Sequence, residues 1–76
     1  MNWDKTNPTV YECSSMRVYC WPQGCMVEQL SPWSQIRLTG EDAQAVMASA
    51  RIEAWGDVLT IVDSVNTTQQ LNSLAA

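Results

Sequence analysis

Val58-Leu59-Thr60-Ile61-Val62-Asp63-Ser64-Val65 is the stretch on which the fold turns. Its apolar residues, at 58, 59, 61, 62 and 65, fall on both sides of a pleat, the pattern of a strand covered on both faces and central in its sheet. Asn66-Thr67-Thr68-Gln69 then resembles a capping box, opening a short terminal helix that carries Leu71 and Leu74.

Upstream, Thr39-Gly40-Glu41-Asp42 has the chemistry of a helix start. A Thr N-cap can satisfy an orphan N–H, and two acids in the first turn face the positive end of the dipole. The spacing predicts a helix from Glu41 to Trp55, with Gly56 as its C-terminal cap.

The first half of the chain is β-prone. Residues 1–8 read as a lead-in ended by the turn dipeptide Asn7-Pro8. Thr9 to Trp21 is rich in strand formers, with Ser14-Ser15 as either a bulge or a break between two strands. Trp21-Pro22-Gln23-Gly24 places proline and glycine as a tight turn uses them, which predicts a hairpin into a strand from Cys25 to Leu30. Ser31-Pro32 breaks that strand, and Trp33 to Thr39 alternates as a half-buried strand does. The expected fold is a single α+β domain in the order βββαβα. A mainly antiparallel sheet of three or four strands carries the main helix on one face, with Val46, Met47, Leu59 and Ile61 as the core between them.

Composition bounds the function. Trp3, Trp21, Trp33 and Trp55, two tyrosines and four methionines stand against no histidine in 76 residues. Trp, Tyr and Met dominate interface hot spots, whereas acid–base catalysis near neutral pH most often uses histidine. A domain this small buries only about 60% of the surface its unfolded chain exposes, so some of the rings are expected at the surface. The chain reads as a binding protein and not an enzyme. The isolated Gly24, Gly40 and Gly56 offer no phosphate-cradling loop.

Charge is unevenly placed. Residues 1–40 balance Asp4, Glu12 and Glu28 against Lys5, Arg17 and Arg37, while residues 41–76 set Glu41, Asp42, Glu53, Asp57 and Asp63 against Arg51 alone. The net charge of -4 therefore lies in the C-terminal half, which repels phosphate backbones and anionic lipid. A basic protein surface is the better partner; the bland alternative is that the acids serve solubility.

Met1-Asn2-Trp3-Asp4 lacks the basic and apolar regions of a secretory signal, and no apolar run is long enough to span a bilayer. A cytoplasmic location is expected. Cys13, Cys20 and Cys25 are odd in number, which disfavours a disulfide scaffold, and without histidine a zinc site would lack its fourth ligand. Buried reduced thiols are expected, with a cross-strand or intermolecular disulfide and a metal as the alternatives, and no cofactor.

The candidate site lies on the main helix. Ala43, Val46, Met47, Ala50 and Ala54 form a core-facing stripe, while Ala45, Ala48, Ile52 and Trp55 form a second one on roughly the opposite side. Either Trp3 or the C-terminal helix covers that second stripe, or a partner or second copy does. Trp55 and Ile52 beside Glu41, Asp42 and Glu53 are the expected partner-binding residues, and Tyr19 and Trp21 at the hairpin are the other candidate anchors.

From Trp33 to Val46, the succession of strand, Thr cap, acids and Ala-rich helix resembles many small proteins encoded by bacteriophages and prophages. The profile of a short, acidic, single-domain chain without catalytic residues is similar to that of anti-CRISPR proteins and other phage inhibitors of host machinery. That resemblance implies a stoichiometric blocker of a host complex in a bacterial cell, and carries over no individual residue. The alternative is a small structural protein that forms homodimers through the second helix stripe.

Overall fold

The computed structural model describes the backbone of residues 7–75 and the side chains through residue 68. Its order is β1 (Thr9–Glu12), β2 (Met16–Trp21), β3 (Gly24–Leu30), β4 (Trp33–Leu38), α1 (Gly40–Arg51) and α2 (Trp55–Ala75). The strands form one antiparallel sheet in sequence order. The class is α+β as expected, but the order is ββββαα, not βββαβα.

Short turns produce the meander. Ser14-Ser15 is a break between strands, closed by a 2.9 Å hydrogen bond from the Cys13 N–H to the Met16 carbonyl. Pro22-Gln23 joins β2 to β3 so that Trp21 faces Gly24, with proline pre-setting the turn's backbone angle. Ser31-Pro32 joins β3 to β4 and sets Leu30 opposite Trp33. These turns fix the register and, with it, which residues share a face. One face carries the rows Val18–Val27–Ile36 and Cys20–Cys25–Leu38; the other carries Tyr19–Met26–Arg37 and Arg17–Glu28–Gln35.

Val58 to Val65 is helical, which overturns the expected central strand. Val58, Ile61, Val62 and Val65 stand at i, i+3, i+4 and i+7, one stripe of a helix. Val58 and Val62 are buried and Ile61 and Val65 pack against the core, while Leu59, off the stripe, is 39% exposed. The β-preference of valine and isoleucine is worth well under 1 kcal/mol per residue, and packing a whole apolar stripe on α1 outweighs it. The hydroxyls of Thr60, Thr67 and Thr68 donate to the carbonyls of Gly56, Asp63 and Ser64, four residues back, so these threonines also sit satisfied in the helix. The expected short terminal helix is the latter part of this one continuous element.

The main helix also ends earlier than expected. Thr39 holds the N-cap position, although its hydroxyl makes no cap hydrogen bond, and Glu41 and Asp42 occupy the first turn. At the other end, the Glu53 N–H bonds the Ala50 carbonyl at 3.1 Å and the Ala54 N–H bonds the Ser49 carbonyl at 2.9 Å. This is the Schellman arrangement, whose left-handed position glycine usually takes. Here Glu53 takes it, with φ of 60°. Gly56, expected as the cap, instead lies in the first turn of α2.

The core combines Met16, Val18, Cys25, Val27 and Leu38 from the sheet, Ala43, Val46 and Ala50 from α1, and Val58 and Val62 from α2. α1 packs on β2 and β3, and α2 on α1. Of the expected core residues, Val46 is fully buried and Met47 and Ile61 are half-buried against it, whereas Leu59 is a surface residue. No helix of the described residues is long and apolar enough to cross a membrane.

Candidate binding surface

Both helices bury their apolar stripes in the core beneath one face of the sheet, so no described element lies on the other. Residues 17, 19 and 21 of β2, 26 and 28 of β3, and 33, 35 and 37 of β4 alternate outward onto that open face. It is rich in rings. Tyr19 and Trp21 stack with centroids 6.3 Å apart and planes 20° apart, and Trp33 is 61% exposed.

Glu28 organises this surface. One carboxylate oxygen accepts the Tyr19 hydroxyl at 2.9 Å, and the other accepts the Trp33 indole N–H at 2.7 Å. Arg17 adds a longer ion pair to Glu28 at 3.5 Å while bonding Glu12 through its Nε at 3.0 Å. The Glu28 side chain is 12% exposed, so its lone pairs are spent on protein donors. The Trp33 and Tyr19 bonds hold its carboxyl below the ordinary carboxylate range; burial opposes them and Arg17 assists. Two aromatic side chains are thus pinned by their polar ends with ring surface left to solvent, which lowers the entropy lost on meeting a partner.

The helical candidates are not brought together. Because α1 stops at Arg51, Ala45, Ala48, Ile52 and Trp55 do not form one stripe. Ala45, Ala48 and Ile52 are exposed, Ile52 to 76%, while Trp55 opens α2 and packs against the core. Glu41 and Asp42 start α1 and Glu53 follows its end, so at about 1.5 Å per residue they lie roughly 16 to 18 Å apart. Trp3 lies outside the described residues. Tyr19 and Trp21 do share one surface. Trp33 and Glu28 were not singled out by sequence, although alternation along β3 and β4 from the Pro22-Gln23 turn places them beside Tyr19.

The thiols divide into two places. Cys20 and Cys25 face each other across β2 and β3, whereas Cys13 lies in the turn at the far end of β2. All three are free. Burial pushes the Cys25 thiol up to about 12, with Cys20 adding to the shift, and burial also raises Cys20, against the pull of Arg51. At Cys13 burial is outweighed by hydrogen bonds from Ser15 and Met16, and the thiol is lowered. Among the described residues no three His, Cys, Asp or Glu side chains are grouped to hold a metal ion.

A separate cleft of about 510 Å³ opens where β1 and the end of β2 meet the last turns of α1, between Tyr11, Cys20, Trp21, Met47 and Arg51. No family model, curated protein or solved structure matches this chain.

Proposed function

We propose that this chain is a stoichiometric protein-binding inhibitor of phage or mobile-element type. It blocks a host protein complex in a bacterial cell by laying its open sheet face on the target, with Trp33, Tyr19 and Trp21 as anchors. The observation that carries this reading is the exposed Trp33 ring held in place through Glu28. A large aromatic surface, fixed before binding and tied through the same Glu28 carboxylate to Tyr19, is the make-up of an interface hot spot. The acids of the helical half, Glu41, Asp42, Glu53, Asp57 and Asp63, favour a target with a basic surface and speed its approach. The reading includes no catalytic role.

The alternative, self-association, uses the same open face, because the helix stripe it first rested on is not continuous. A tagged pull-down from bacterial lysate with wild-type protein and Trp33→Ala, combined with light scattering, separates the two. A host protein enriched by wild type and lost from the variant, with a monomeric bait, supports the inhibitor. A dimer that dissociates on Trp33→Ala, with no enriched protein, supports self-association. Equal capture by both proteins overturns the role of the face.

A further inference from the structure

The cleft beside Arg51 has the make-up of a small-molecule site. Its volume of about 510 Å³ falls within the roughly 300 to 1,000 Å³ of ligand pockets. Tyr11 and Trp21 supply aromatic walls and Met47 an adaptable apolar one, and Asn7 and Thr9 contribute short polar groups at the rim. Among the described residues that line it, Arg51 is the one that carries a charge. No ion pair joins Arg51 to any described residue, and its guanidinium fork has the geometry to bind a carboxylate through two hydrogen bonds. Among the described residues no acid lines the cleft, although the chain carries eight acids against four bases. Elsewhere that surplus repels small anions; here the full charge carried by the described residues is positive.

We propose that this cleft binds a small aromatic carboxylate, its ring between Tyr11, Trp21 and Met47 and its carboxylate on the Arg51 guanidinium. A neutral aromatic would leave the guanidinium without a partner, and a bare anion would leave the apolar walls wet. Both halves of the ligand are needed. The site does not depend on the function of the open face, but Trp21 belongs to both, stacking on Tyr19 and walling the cleft.

The test uses the whole chain, 15N-labelled, titrated with 3-phenylpropionate and separately with 3-phenylpropionamide and acetate. The expected result is saturable shifts centred on Tyr11, Cys20, Met47, Arg51 and the Trp21 indole N–H with the acid. The amide should bind at least about tenfold more weakly, as should the acid to Arg51→Gln, since a charge-assisted hydrogen bond contributes about 1.5 to 3 kcal/mol; acetate should not saturate. Arg51 is exposed, so the variant should keep the dispersed spectrum of a folded chain, and the amide control needs no variant at all. Equal binding of acid and amide, saturable shifts confined to other residues, or no saturation at low-millimolar acid would each overturn the proposal.

Discussion

Trp33 and Glu28 are diagonal neighbours on the open face of the sheet, joined by a 2.7 Å hydrogen bond from the indole N–H to the carboxylate. The bond requires an ionised acceptor to keep its strength, so the surface it fixes is sensitive to acid. Because the folded state holds the Glu28 carboxyl below its ordinary value, the group adds stability above the unfolded pKa of about 4.3. That contribution is lost as the pH falls through the lowered folded value. Urea midpoints should therefore fall more steeply with acidification in wild type than in Glu28→Gln, which should already be weaker near neutral pH. Coincident slopes would mean that the carboxylate is not coupled to folding.

Packing in α2 gives a second expectation. Val62 is fully buried in the core, while Leu59, the larger residue, stands 39% exposed. Val62→Ala removes two buried carbons and leaves a cavity, and should cost about 2 kcal/mol. Leu59→Ala should cost under about 1 kcal/mol. Chemical denaturation of the two variants orders them, and a larger loss at Leu59 would restore the strand reading of Val58 to Val65.

That inversion marks what was legible in the chain. Local turn chemistry was: Ser14-Ser15, Pro22-Gln23 and Ser31-Pro32 each delimit a strand as their residue types demand, and Thr39 to Asp42 opens α1. What misled was composition. Five branched apolar residues in eight suggested a strand on both faces, yet their spacing at 58, 61, 62 and 65 is helical, and spacing decides which side chains meet the core. The site was half visible for a related reason. Tyr19 and Trp21 stand out as residue types, but Glu28 looks like any surface acid until the hairpin register places it between Tyr19 and Trp33. The helix stripe of Ile52 and Trp55 failed because nothing local announces a cap built on a glutamate.

Glu53 supplies the next prediction. Its φ of 60° places a side chain where a β-carbon crowds the following carbonyl, a strain of roughly 1 to 2 kcal/mol. Glycine relieves that strain at the cost of a freer unfolded chain. Glu53→Gly should raise stability by about 1 kcal/mol, visible as a higher melting temperature, whereas Glu53→Ala keeps the β-carbon and should not. If the alanine variant gained as much as the glycine one, removal of the charge and not the backbone would be the cause.

The thiols should react in the order Cys13, Cys20, Cys25. Alkylation requires the thiolate, and three environments set how much of it exists near pH 8. At Cys13, in the turn after β1, hydrogen bonds from Ser15 and Met16 overcome burial and lower the thiol. Cys20 lines the open cleft, but burial raises it despite the nearby Arg51. Cys25 has no solvent contact, and its thiol, pushed up to about 12, points at the Ala43 carbonyl at 3.9 Å inside the core. Timed alkylation of the native protein followed by peptide mass spectrometry should label Cys13 first and leave Cys25 protected until the chain opens, with its rate rising in urea as the fold is lost. Labelling of Cys25 as fast as Cys13 in buffer would show that the β2–β3 hairpin is not sealed by α1.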